Sequence, residues 1–240
     1  MKNKEDIIRR AICLICYSDR CFLEDTVFDG IRRSLKERED QRQIIIKWLK
    51  EKKYYDYLTQ SEKQIVETPV VKQTNDRVRA FANDYECIEP LIWYLGLIDH
   101  LSNYNNYVLD NLHLPLQIGP MHTLESLSEC CQCVSDDVLN IHREISMLWY
   151  WRCLEARSNY SKSVNYTEAI KNIFGKEELN CLKEYEAFNF DKGDFFVRSK
   201  KVANLSEIEL ARLEIIAERR FYAFEWLCSD ENWDEIDLVC

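Results

Sequence analysis

The segment ERRFYAFEWLCSDENWDEID, from Glu218 to Asp237, places a Glu-Arg-Arg cluster inside an otherwise apolar run. At about 100° per residue, Arg212 and Arg219 fall on one side of a helix, between Ile208 and Ala223, and Arg220 points into the same apolar arc. A guanidinium keeps its charge inside a protein, so each must meet a carboxylate, a carbonyl or a bound anion. Two chemistries follow. Arg212 and Arg219 could together hold an anion. Alternatively the chain turns after Cys228 and folds back, so that Trp233 packs and Asp234 or Asp237 meets Arg219. The second is the simpler account, because buried ion pairs are more often architecture than chemistry.

Other groups could also do work. Glu86 and Glu89 sit three apart, just before Pro90, in an apolar segment. Two inward carboxylates suit acid–base chemistry, but one of them pairing with a buried arginine, Arg219 or Arg79, is simpler. Cys130, Cys131 and Cys133 lie between His122 and His142 and offer zinc donors. They supply only one C-x-x-C pair, and structural zinc sites usually show two. Cys13 and Cys16 lie mid-helix among Ile12, Leu14 and Ile15, which reads as packing. His142 shares an apolar helix face with Val138, Ile145 and Trp149, the setting of a core or boundary histidine. His100, His113, Asp99 and Asp110 follow no metal-ligand spacing. No metal or cofactor is therefore expected. The sequence contains no phosphate-binding glycine loop, no nucleophile elbow and no H-E-x-x-H.

These residues need helices to position them. Residues 4–23 and 31–53 have helical apolar periods. Thr59 with Glu62, and Ser206 with Glu209, have capping-box spacing. The apolar stretch 75–101 contains Pro90, which kinks a helix or begins a new one. Residues 102–122 form the longest irregular stretch and are the best candidate for a functional loop or a weak boundary. A short helix starts at Thr123, and Ser135 or Asp136 caps a long one. A helix pair spans 166–187, and 193–204 reads as a small hairpin or ordered loop. The last long helix runs to about Cys228, with Glu207, Glu214, Glu218 and Glu225 as its water-facing stripe. The sum is an all-α domain of eight or nine helices. Nothing marks a linker, so residues 1–240 are expected to be one domain.

Bulk composition agrees. With 5 Gly and 4 Pro in 240 residues, a turn-rich β fold is disfavoured. A formal charge of −10 argues against a nucleic-acid partner. The charge is uneven. Segment 31–53 is rich in Lys and Arg. The last seventeen residues hold Glu225, Asp230, Glu231, Asp234, Glu235 and Asp237 and no base. This suits a charged partner, or one end of the protein docking on the other. No secretory segment, membrane span or prenylation signal is evident, so a soluble cytoplasmic protein is expected.

Several blocks carry a resemblance. They are the closing Glu-Arg-Arg with Trp226-Leu227 and Trp233-Asp234-x-Ile236-Asp237, the Arg-rich first helix, and Trp48-Leu49. LTQSE from Leu58 to Glu62, Glu86 leading into LIWYLGL, and Trp151 with Glu155-Ala156-Arg157 complete the set. In this order they resemble a bacterial family catalogued only as domain of unknown function 4272. The resemblance covers most of the chain. One departure is at Leu148 and Tyr150, where that family often carries Arg and His. The resemblance implies a helical, cytoplasmic domain and no particular activity.

The function expected from all this is a non-catalytic protein-binding module, for example an inhibitor or immunity-type protein that blocks a basic partner. The rival is an enzyme or a small-ligand or anion-binding protein. Its pocket would lie between segment 86–97, the Trp149–Trp151 helix and the last helix, with Glu86 and Arg219 at its floor. The binding residues expected are Glu86, Arg212, Glu218, Arg219, Trp226, Trp233, Asp234 and Asp237.

Overall fold

Capping signals in the sequence fall where helices begin in the computed structural model, which describes residues 2–28, 31–73, 83–104, 128–129, 131–158, 166–173 and 193–239. Helix α1 (Lys4–Phe22) starts at Asn3, whose side chain accepts from the Asp6 amide. Helices α2 (Leu35–Glu51), α3 (Gln60–Glu67) and α7 (Glu207–Cys228) each begin with a complete capping box: Ser34 with Glu37, Thr59 with Glu62, and Ser206 with Glu209. In each box two otherwise orphaned amide donors gain acceptors. Helix α5 (Asp136–Arg157) follows Ser135, and α6 spans Tyr166–Ile173.

The apolar stretch 75–101 is not one helix. Within its described part, a 3₁₀ turn over Asn83–Cys87 leads into the short α4 (Ile88–Tyr94). Pro90 falls in the first turn of α4, where a missing amide costs nothing. Gly96 follows at φ 69°, and a Cβ there would meet the Gln132 carbonyl oxygen at 2.3 Å. Only glycine fits this left-handed close approach.

Seven α-helices are thus present among the described residues, slightly below the eight or nine expected. The helix expected from Thr123 and the second member of the 166–187 pair lie outside the described residues. Two short antiparallel hairpins complete the fold, Val27–Phe28 (β1) with Ile31–Arg32 (β2), and Phe196–Val197 (β3) with Lys200–Lys201 (β4). The second is the hairpin expected near 193–204. Its two-residue turn puts Arg198 and Ser199 at φ 48° and 68°, the paired positive φ that suits the strand twist.

Helix α7 takes part in two apolar clusters. Its C-terminal half, with Phe224 and Leu227, packs with α1, α4 and the 83–87 turn. Its N-terminal half, with Leu213 and Ala217, packs with Leu148, Trp149 and Cys153 of α5 and with Phe195 and Val202 beside the β3–β4 hairpin. The expected glutamate stripe is only partly a water face. Glu225 meets Arg143 at 2.6 Å, and Glu214 meets Arg157, so two of its acids bind α7 to α5. Ile208, expected in the apolar arc, is instead 84% exposed in the first turn.

Arginines tie the helix ends together. Arg38 Nη1 donates to the carbonyls of Leu23 and Glu24, 2.9 Å each, just past α1. Arg42 Nη1 donates to those of Val66 and Glu67 at the end of α3, at 3.0 and 2.8 Å. Arg20 Nη2 donates to the Thr68 carbonyl at 2.7 Å. The last carbonyls of a helix lack intrahelical donors and carry the negative end of its dipole, so a guanidinium suits them twice over. The basic stretch 31–53 is therefore partly internal: Arg38 and Arg42 are buried.

Candidate functional site

Three consecutive residues of α7 have three different fates. Glu218 is part-exposed, with Oε1 3.7 Å from Arg219 Nη2. Arg219 Nη1 lies 3.2 Å from Asp84 Oδ1. Arg220 turns inward and is 1% exposed, with Nη2 2.9 Å from Glu89 Oε2 and 3.7 Å from Glu86 Oε2. A helix turns about 100° per residue, so neighbours must face different surroundings.

Arg219 belongs to a mixed polar cluster at one end of the molecule. The Tyr17 hydroxyl donates to Asp84 Oδ2 at 3.1 Å, and the Cys87 thiol donates to the Arg219 carbonyl at 3.2 Å. Burial raises the Asp84 carboxyl, and Arg219 opposes that rise. Nearby, Arg10 Nη2 meets Glu62 Oε1 at 2.5 Å, while Glu62 Oε2 still accepts from the Thr59 amide. The α3 capping box thereby doubles as the partner of a buried arginine on α1.

The expected return of the chain after Cys228 is present, but not its expected ion pair. Trp233 packs edge-on against Tyr222 and Trp226, each with ring centres 5.2 Å apart, and under the Arg10 guanidinium at 4.8 Å. The Tyr222 hydroxyl donates to the Trp233 carbonyl. The Lys2 ammonium donates to the Glu231 carbonyl, so the two ends of the described chain meet. Asp234 and Asp237 are exposed and do not reach Arg219. The reason is that the returning turn spends its inward direction on the indole, and its flanking acids face water. Arg212, half-buried, lies two turns earlier on α7. Because Arg219 already faces Asp84, an anion there would have to displace a carboxylate.

Glu86 and Glu89 are both buried, as their apolar setting suggests, and their arginine is Arg220 rather than Arg219. Arg79 lies outside the described residues. Arg220 and Glu89 also clamp Ser102: Arg220 Nη1 donates to its carbonyl at 2.5 Å, and its amide donates to Glu89 Oε1 at 2.7 Å. The Arg220 guanidinium stacks 4.8 Å from the centre of the Tyr104 ring. Charged groups deep in the core therefore fix the path of segment 99–104.

That segment forms one wall of a cavity of about 580 Å³. Trp93 of α4, residues 99–104, His142, Ile145 and Trp149 of α5, and Phe196 of β3 are among its lining. Tyr104 stacks on Trp149 at 4.8 Å and 15°, and its hydroxyl is 2.7 Å from Ser146 Oγ. His142 meets the Trp93 ring edge-on at 4.4 Å. Burial pushes the His142 imidazole down to about 4 and the Tyr104 phenol up to about 12. Both are therefore uncharged near neutral pH. Asp99, His100 and Asn103 are exposed at the rim.

The expected pocket and this cavity share Trp93 and Trp149, but Glu86 and Arg219 do not line it. Ser102, Asn103 and Tyr104 sit at the start of the irregular stretch 102–122, expected as a functional loop but not assigned to this pocket, and from sequence Asp99 is considered only as a metal ligand. Their convergence with His142 depends on α4 packing beside α5, which no local signal reports. Among the described residues, no group of three or more His, Cys, Asp or Glu converges on a metal-sized site. Asp110, His113, His122 and Cys130 lie outside the described residues. No described helix is long and apolar enough to cross a membrane.

A family model described as "Domain of unknown function (DUF4272)" matches residues 1–168. The match includes Trp48-Leu49, the LTQSE block, Glu86 with the segment after it, and the Trp151 block. The closing segment around Trp233, the most specific part of the resemblance on sequence grounds, lies beyond it. No curated protein and no solved structure matches the chain.

Proposed function

The chain belongs to the family described as Domain of unknown function (DUF4272), and from that premise we propose that it is a small-molecule-binding domain. The observation that carries this reading is the aromatic cavity of about 580 Å³ between α4, segment 99–104, α5 and Phe196. Its size lies inside the range of about 300–1,000 Å³ usual for ligand sites. Its wall is braced in advance, because Arg220 and Glu89 hold Ser102 by both backbone groups. Preorganisation of this kind lowers the ordering cost of binding. The Tyr104 hydroxyl, Ser102 and neutral His142 supply polar groups that would orient a ligand. An imidazole titrating near 4 is a weak base, and a phenol near 12 a weak acid, so binding is favoured over acid–base turnover.

Native mass spectrometry of the protein from its own host, compared with denatured spectra, tests this. A small mass released on denaturation is expected, and its loss in Val138→Trp, which fills the cavity. Absence of such a mass, with no fragment from a broad screen perturbing Trp93 or Trp149, would sink it.

A second reading has its own observation. Trp226 and Trp233 anchor the closing turn, so that Glu231, Asp234 and Asp237 stand exposed on a fixed backbone. A rigid acidic edge suits a basic protein partner, as in an inhibitor or immunity-type protein. Reversing Asp234 and Asp237 to lysine should abolish capture of such a partner. Unchanged capture would count against it. Both readings treat residues 1–240 as one domain, supported by the sharing of α7 between two apolar clusters. Both place it in the cytoplasm, the compartment that suits scattered cysteines.

A further inference from the structure

Resting on the cavity reading, we propose that the occupant is an organic cation, an ammonium group carried on an apolar or aromatic body. The argument is one of sign. Of the lining side chains, Asp99 is the one carboxylate, and no lysine or arginine is among them. Trp93, Trp149 and Phe196 contribute aromatic rings, whose faces are electrostatically negative, whereas the faces of Tyr104 are taken by Trp149 and Arg220. Such faces attract a cation and offer an anion nothing comparable.

The sequence around the cavity repeats the same sign. Residues 80–142, which supply most of the lining, contain nine carboxylates and no lysine or arginine. No part of that segment can bring a basic side chain to the site. Among the described residues, three cations near the cavity, Arg220, Arg143 and Lys200, are engaged. Arg220 lies behind the Tyr104 ring and is held by Glu89, Glu86 and the Ser102 carbonyl. Arg143, next to His142 on α5, is tied to Glu225 at 2.6 Å and to Glu144 at 3.0 Å. Lys200, on the hairpin that supplies Phe196, is bound to Glu209 at 2.8 Å. Turning any of these toward an anion would strip a carboxylate of its partner. His142 adds no positive charge, since burial keeps its imidazole neutral. An anion entering here would lose its hydration and, among the described lining residues, meet no lysine or arginine. An ammonium would find ring faces and Asp99.

Three probes of nearly equal size separate the possibilities: benzyltrimethylammonium, benzyl methyl sulfone and benzylsulfonate, which are cationic, neutral and anionic. Binding is read from the indole NMR signals of Trp93 and Trp149. The cation should bind about tenfold or more tightly than the sulfone, with the sulfonate weakest. In Asp99→Asn, an exposed change that leaves the core intact, the preference for cation over sulfone should fall several-fold. Equal affinity, or preference for the sulfone or the sulfonate, would overturn the cation assignment and leave the cavity reading standing. If none of the three moves either indole signal, while the signals themselves are resolved and native-like, both are overturned.

Discussion

Arg219 and Arg220 are adjacent in sequence, yet their guanidiniums serve different carboxylates. Arg219 Nη1 lies 3.2 Å from Asp84 Oδ1, and Arg220 Nη2 lies 2.9 Å from Glu89 Oε2. The first pair sits at the edge of the molecule, where the Arg219 side chain is 28% exposed. The second is inside it. Burial decides what each is worth.

Arg220→Ala leaves Glu86 and Glu89 buried without that counter-charge. It should cost about 3–5 kcal/mol, the range for breaking a buried pair. Arg219→Ala should cost about 1 kcal/mol, because water can solvate what it leaves. Urea unfolding of the two variants checks this. Equal losses would mean that burial does not separate the two arginines.

The pair of Arg152 and Asp194 is bidentate, at 2.7 and 3.1 Å, and Arg152 is fully buried. Its guanidinium also lies 4.0 Å from the Tyr166 ring centre. Asp194→Asn should destabilise by about 3 kcal/mol. Adding Arg152→Met to Asp194→Asn should recover part of that loss, since the stranded charge goes with it. A double mutant weaker than the sum of the singles would contradict this account. Recovery cannot be complete, because the NH2 that replaces Asp194 Oδ2 cannot accept from the Ala203 amide, 3.5 Å from that oxygen.

Trp233→Ala removes the indole that joins Tyr222, Trp226 and Arg10. The ring is only half-buried, so the global cost should be about 1–2 kcal/mol. The local effect should be larger. Amide hydrogen exchange across residues 229–239 should speed up well beyond the change in α1 or α5. Uniform exchange rates before and after would show that the turn holds itself.

His142 sets a pH dependence. Its folded value is about 4 against an ordinary 6.5, because burial disfavours the charged ring. Between those values the unfolded chain takes up a proton that the folded chain refuses. Its contribution to stability is therefore complete above pH about 6.5 and is lost as pH falls through about 4. The total is about 2 kcal/mol after allowance for the ring's partial exposure. His142→Phe should flatten that part of the stability profile. An NMR titration of the His142 ring centred near 6.5 would refute the assignment.

Much of the helical framework was legible in the sequence, and much of the site was not. Thr59 with Glu62 and Ser206 with Glu209 are local signals, set by contacts three residues apart, and they appear as capping boxes. Pro90 likewise marked the start of α4. That Glu86 needed an arginine followed from its apolar neighbours. That the arginine is Arg220 did not, because the choice depends on how α7 is rotated against the 83–87 turn. Trp233 was expected to pack and does, but the same inward turn leaves Asp234 in water. The cavity was least visible. Trp93, Tyr104 and His142 come from three elements, and their meeting is a property of packing alone.

The arginines that cap helix ends also change what the molecule shows to its surroundings. Among the described residues, six arginines are buried against four carboxylates, Glu62, Glu86, Glu89 and Asp194. Among those buried groups, positive charges therefore outnumber negative ones by two, which leaves the described surface more acidic than the described composition. A counter-ion cloud neutralises the net charge of −10, while the burial of these arginines leaves acidic side chains over-represented at the surface that it meets. Positively charged molecules should therefore collide with this protein fastest in dilute buffer, and their arrival should slow steadily as ionic strength rises.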